Sequence, residues 1–417
     1  MKIRLLPALF AVGSLLGAAL AGTAPHQQLP GRWYPDVYRS PATEGMSAQQ
    51  RQQVEALEAL GYLGGSEPRG AVSGVLRWDR SRASRGLNLY SSGHAATAIL
   101  MGMDGEVMHT WSKPYREVFP DRPSRNFEST GAWRRVALRP EDGHLLAIYE
   151  GLGIVHLDAD SNIVWASANR AHHDARWRPD GGVLTLTRVL HAGEGPQGAP
   201  LYEDFVTELE PDGRERRRVS VLGALRASAY ADLLKRAPTD SGDLLHTNAV
   251  FPLADATRDP AGGVGPGRVL LSMRHLDAIA VLNLNQRRMV WASTGGFERQ
   301  HDVQISRSGH LMMFDNRGGQ GGTSRALSLS LWDLKPVWSW GGPARLPLLS
   351  PVLGAVAELP NGNVLVTESA RGHAVEVTPQ GEAVWEFLNP RVTGPDDAYI
   401  AAIFEMVRVP LQEMGWL

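Results

Sequence analysis

Three of the thirteen histidines share one register in this chain. His173 lies eight residues before Gly181, and His301 eight before Gly309. His246 takes the same place before Val250-Phe251-Pro252. A neutral imidazole keeps a lone pair at physiological pH, so it serves as nucleophile, proton acceptor or metal ligand. The local contexts are His172-His173-Asp174, Leu245-His246-Thr247-Asn248 and Gln300-His301-Asp302. Farther along each copy, Glu150, Arg188, Arg274 and Asn316 fall in corresponding places. Arg274, in Leu271-Ser272-Met273-Arg274, belongs beside His246. A guanidinium offers a fixed fork of donors that matches a tetrahedral oxyanion such as sulfate or phosphate, although pairing with a strand-edge carboxylate satisfies the same spacing.

Two chemistries suit this set. One is transfer of a group through a histidine nucleophile with arginine holding the oxyanion. The other is a divalent metal on three imidazoles, with an open position for water, as in a hydrolase. Arg274 speaks against the metal, because a cation beside a cation is costly. A third reading leaves the histidines as caps of strand edges in a non-catalytic binding module.

Such side chains converge only if the elements carrying them repeat around an axis. An alternating apolar segment, a turn with Asp-Gly or a substitute, a second alternating segment and a closing Trp recur from residue 86 onward. The second half of the unit appears at Ile99–Trp111, Ile154–Trp165, Val206–Val219 (without its Trp), Ile279–Trp291, Ser328–Trp338 and Ala374–Trp385. The first half appears at Trp133–Glu150, His173–Arg188, His246–Arg274, His301–Asn316 and Gly354–Ser369. Period-two alternation with frequent turns signals strands, and four strands in about 40–50 residues is the size of a propeller blade. Six copies predict an all-β, six-bladed β-propeller over residues 76–417, with the histidine register opening the innermost strand of its blade. The first copy lacks an inner strand, and the orphan segment Ile403–Val409 is predicted to supply it, closing the ring and hiding both edges. The repeated Trp residues are expected to pack outer strands against the next blade. A helix-like insert over 224–236 and a Gly/Pro-rich loop at 259–267 lengthen the interval before Trp291.

Composition narrows the function further. Forty-two basic against 44 acidic residues give a net charge of −2, which offers no electrostatic footprint for nucleic acid or an anionic membrane. With no cysteine, disulfides, thiolate metal sites and catalytic thiols are excluded. Lys2 and Arg4 precede an apolar run from Leu5 to Ala21 ending in Ala19-Leu20-Ala21, so residues 1–21 are predicted to be an export signal, with retention as an anchor the alternative. The expected location is periplasmic or secreted. Residues 22–75 are expected to form an N-terminal arm with a short helix over 47–60, where Ser47 and Gln50 make a capping box.

The ordered set of His-Asp at an inner strand, Leu-His-Thr-Asn, Leu-Ser-Met-Arg, Gln-His-Asp, Phe-Asp-Asn, Leu-Pro-Asn-Gly-Asn and a final Val-Trp-Glu-Phe-x-Asn-Pro resembles the bacterial arylsulfotransferase family over roughly residues 75 to 410. The resemblance implies a six-bladed propeller and transfer of a sulfuryl group from a phenolic sulfate ester to a phenol through a transiently sulfated histidine, with neither nucleotide nor metal cofactor. It carries the nucleophile onto His301, pocket residues onto His246 and Asn248, the oxyanion-binding arginine onto Arg274, and the first histidine onto His173. The expected partners are small aryl sulfates and phenols. No Walker-type loop is present, in keeping with a donor that is not a nucleotide.

Overall fold

Each copy of the repeat folds as an antiparallel four-stranded meander in a computed structural model that describes residues 29–35, 47, 65, 67–122, 130–253, 260, 262–263, 267–344 and 346–417. Six such sheets form the blades of a propeller. The strands are rich in Val, Leu, Ile and Ala and are buried on both faces, as Leu145 to Tyr149 and Leu311 to Phe314 illustrate, because every blade is covered by two neighbours. The hydrophobic core is therefore divided into layers between blades. One layer joins the first and second blades around Trp111, Trp133 and Tyr149, and another joins the sixth and first around Trp385, Tyr90 and Met406.

The inner strands are Ile403–Val409, Arg135–Arg139, Ala171–Trp177, Thr247–Pro252, His301–Ile305 and Ala355–Glu358. The first of these comes from the C-terminus, as the orphan segment predicts: it pairs antiparallel with Leu87–Ser92, from Val409 opposite Leu87 to Ile403 opposite Ser92. The outer-strand tryptophans also pack as expected, and among the described residues four of the five, all but Trp291, donate a hydrogen bond from the ring N–H. Trp111 Nε1 donates to the Gly143 carbonyl, Trp165 to Pro211, Trp338 to Pro379 and Trp385 to Met103, every acceptor lying in a turn of the following blade. The large ring thus brings apolar area and a satisfied N–H to the same joint.

Two pieces of the N-terminal arm add fifth strands. Arg32–Trp33 pairs parallel with the outer strand of the second blade, and Gly74–Trp78 pairs antiparallel with that of the sixth, across the expected start of the propeller. The expected export signal, the arm helix beyond Ser47 and most of the 259–267 loop lie outside the described residues. Among the described residues no helix is long and apolar enough to cross a membrane. The 224–236 insert is not one helix. A helix runs from Val221 to Arg226 and a 3-10 turn from Ala231 to Arg236. Ser220 starts the helix early by accepting from the Gly223 N–H, and Ser228 ends it by bonding the Leu225 carbonyl and the Tyr230 N–H.

Candidate active site at the mouth of the channel

The inner strands of the third, fourth and fifth blades open on irregular backbone. His173 and His246 have φ of +57° and +49°, and Asp302, next to His301, has +50°. Register shifts follow at His172/Ala175, Thr247/Ala249 and His301/Gln304. Left-handed backbone at a residue with a side chain costs of order 1 kcal/mol or more, so the surrounding bonds must hold it. They do so across blades: Asp174 Oδ2 accepts from the Val250 N–H at 2.9 Å, Asn248 Nδ2 donates to the Gln300 carbonyl at 2.9 Å, and Asp302 Oδ2 accepts from the Val356 N–H at 2.9 Å. The residue after each histidine, or two after it, ties its strand to the next, and the bulge turns the histidine toward the mouth.

His301 is buried, and its Nδ1 lies 2.7 Å from Asn316 Oδ1 and 3.1 Å from the Arg299 carbonyl. The Asn316 amide is oriented because its Nδ2 donates to the carbonyls of Ser350 and Leu353, at 2.6 and 2.7 Å. Two acceptors around Nδ1 require that it carry the proton, which leaves the lone pair on Nε2. Burial, followed by the nearby Arg274 guanidinium, holds the ring far below its usual range, so His301 is a neutral imidazole at physiological pH.

His246 and His173 repeat the pattern with carboxylates. His246 Nδ1 lies 2.5 Å from Asp243 Oδ2, and Asp243 Oδ1 also accepts the His246 N–H. Burial alone would raise the Asp243 carboxyl, but His246, His275 and Arg188 hold it well below the usual carboxylate range. His173 Nδ1 lies 3.0 Å from Glu150 Oε1 and 2.9 Å from His172 Nδ1. Its burial outweighs the Glu150 charge and pushes it down to about 4. The rings of His173 and His246 meet edge to face at 4.9 Å, and His275 lies 4.8 Å beyond His246.

Arg274 turns away from its strand directly beside His246, its N–H donating to the His246 carbonyl at 3.2 Å. Burial, then Arg299 and Arg317, depress it to about 10, which still leaves it cationic. The sequence-predicted residues therefore gather at one end of the channel. Asn248 also bridges to the segment bearing His301, with its Oδ1 buried and unpartnered. Asp243, His275, Arg299 and Arg317 were missed. Asp243 stands three residues before His246 in a loop with no strand signal, His275 comes against His246 through the turn that follows Met273, and Arg299 and Arg317 reach Arg274 only where blades four and five meet.

At the equivalent register of the second blade stands Arg135 instead of a histidine. It bridges to the inner strands of the blades on either side, meeting Asp174 at 3.1 Å and Glu405 at 2.7 Å. In the sixth it is Gly354, with φ +103°, where a Cβ would come within 2.3 Å of the Phe314 ring. The mouth is thus chemically one-sided.

Among the described residues two sets of groups could hold a metal, Glu150 with His172 and His173, and Asp243 with His246 and His275; each brings its potential ligand atoms within 4.8 Å of one another. In both, carboxylate and imidazole already satisfy each other, and Arg188 and Arg274 add positive charge nearby. A cation there would have to displace those bonds.

Residues 141–390 match the model of a family described as Arylsulfotransferase (ASST). No curated protein matches the chain. Among solved structures, a protein of unknown function from Bacteroides caccae aligns at TM-score 0.51 and 12% identity, over 78% of this chain and 99% of that one. A streptogramin B lyase aligns at TM-score 0.44 and 9% identity, over 83% and 96%. At such identity the first likeness is one of fold alone.

Proposed function

Because the chain belongs to the arylsulfotransferase (ASST) family, we propose that it moves a sulfuryl group from a phenolic sulfate ester to a phenol through a sulfated His301, without a nucleotide donor. The observation that carries this reading is the tautomer of His301: Nδ1 is committed to Asn316 and Arg299, and the Nε2 lone pair stands near a cationic Arg274. In the first half-reaction Nε2 attacks sulfur, an N–S bond forms, the S–O bond to the aryl group breaks, and the phenolate leaves with the electron pair. In the second, the acceptor phenol loses its proton to a base and its oxygen attacks the same sulfur, returning the pair to Nε2. Arg274, with the second amide proton of Asn248, neutralises the sulfuryl oxygens in both.

One proton must shuttle, taken from the acceptor and given to the departing phenolate. His173 is held down to about 4 and stays neutral, which favours His246, whose imidazolium would be stabilised by Asp243 at 2.5 Å. His173 then shapes the pocket and orients His246 through their ring contact. The basic start and apolar run of residues 1–21 support action outside the cytoplasm, in the periplasm or secreted.

Intact mass measured after brief exposure to 4-nitrophenyl sulfate and an alkaline quench tests the reading. A gain of one sulfuryl group, absent from His301→Ala, is expected. An unmodified wild-type protein that releases nitrophenol only with added metal would replace it by the hydrolase reading, and one that binds without turnover by the binding-module reading.

A further inference from the structure

Arg274, Arg299 and Arg317 crowd one side of His301. Arg299 precedes the nucleophile by two residues, and its N–H donates to Asp277 Oδ1 at 2.9 Å, three residues after Arg274. Arg317 follows Asn316, and its N–H donates to the Glu298 carbonyl at 3.1 Å, next to Arg299. Among the described residues, no carboxylate lies within ion-pair distance of the three guanidinium groups. The carboxylates closest to the histidines are engaged elsewhere, Asp243 with His246 and Glu150 with His173. Asp277 faces Arg236 at 3.4 Å, and Asp315 pairs with Arg325 at 2.9 Å. The mutual repulsion is felt: after burial, Arg299 and Arg317 are what lower Arg274.

An aryl sulfate is a monoanion, and so is a sulfuryl group on an imidazole. Arg274, whose guanidinium acts directly on the His301 ring, accounts for that charge. Arg299 is half-buried and Arg317 exposed, and neither is among the charges that act on His301 as Arg274 does, which puts their forks toward the rim. Asp243 and Asp277 offset part of the charge on Arg274 from a distance, but building two more cations beside it without a directly paired carboxylate is unfavourable unless a ligand supplies one. We propose that Arg299 and Arg317 form a second anion subsite, so that the preferred substrates are aryl sulfates or phenols whose ring carries a further anionic substituent, such as a carboxylate. This rests on the sulfuryl-transfer reading for the identity of the first anion, but the subsite itself requires only the ring and two negative charges.

The test separates the two. Binding of benzenesulfonate and of 4-sulfobenzoate, whose carbon–sulfur bond cannot transfer, is measured by calorimetry on the full chain. Physiological ionic strength is used, where exposed charges beyond about 8 Å are screened. The dianion is expected to bind about tenfold or more tightly, and the preference to fall to within about threefold in Arg299→Gln/Arg317→Gln, with Arg317→Gln alone as the exposed, structurally mild check. Equal binding of both probes by wild type, or a preference unchanged in the double variant, overturns the subsite. In parallel, the ratio of kcat/KM for 4-hydroxyphenylacetate over a neutral phenol is measured with a nitrophenyl sulfate donor. Transfer without dianion preference sinks the subsite and leaves the transferase reading, whereas dianion preference without any transfer does the reverse.

Discussion

Asn316 determines which nitrogen of His301 can react. Its Oδ1 lies 2.7 Å from Nδ1, and its Nδ2 is held by the carbonyls of Ser350 and Leu353, so the amide cannot flip without losing three bonds. Replacing it with Ala leaves Nδ1 with only the Arg299 carbonyl. The expected loss is about 10–100-fold in the rate of enzyme sulfation, the usual cost of removing a group that orients a reactive imidazole. Asn316→Asp should keep the orientation but stabilise the imidazolium, moving the acid limb of sulfation to higher pH. A pH profile that stays in place would contradict that role.

The wild-type profile is itself a prediction. A lowered histidine pKa means that the reactive neutral ring persists as pH falls, until well below the ordinary 6.5. Single-turnover sulfation by 4-nitrophenyl sulfate, whose leaving group needs no acid, should therefore stay flat as pH falls from neutral through 6.5. A half-maximal point near 6.5 would show that burial and Arg274 do not act on His301 as described.

Asp243 should matter in the other half of the cycle. Asp243→Asn removes the charge that stabilises a protonated His246, so transfer from the enzyme to a phenol is expected to slow by about 10²–10³-fold. Sulfation by a nitrophenyl ester should change far less. The sulfated enzyme then accumulates, and rapid-quench mass spectrometry with a high-pKa phenol reads it directly. Equal slowing of both halves would reduce Asp243 to a structural support.

One histidine away from the mouth governs stability. His373, in the sixth blade, is buried, which lowers its pKa, but Glu368 at 3.1 Å and Glu386 at 3.2 Å outweigh that and raise it to about 9. A pKa raised on folding stabilises the fold fully below about pH 6.5, and the contribution is lost as pH rises through 9. Denaturation midpoints should fall across that window by an amount on the order of 2 kcal/mol, and His373→Gln should flatten the dependence.

Much of this was legible in the sequence because a propeller writes each blade as a local meander. Alternation at Leu145–Tyr149, the turn at Gly143 and the closing Trp165 lie within one stretch of chain, and even the closing strand shows as an unmatched Ile403–Val409. The three histidines were found through their common register. Their partners were harder: Asp243 lies only three residues before His246, but in a loop without periodic signal, and Arg299 and Arg317 reach Arg274 only where the fourth and fifth copies meet. Glu150 and Asn316 could be placed at matching positions, but not their bonds to His173 and His301. The insert over 224–236 misled because an apolar pattern does not show that Ser228 will take the Leu225 carbonyl.

The strand that completes the first blade joins residues about 320 positions apart, Leu87 and Val409. Contacts so distant in sequence form late, after nearly all of the chain is available. The ring therefore closes only once Ile403–Val409 is available to pair, and Glu405 cannot reach Arg135 until it does. A histidine mouth shared among separate blades is a property of packed neighbours, and no single blade carries it alone.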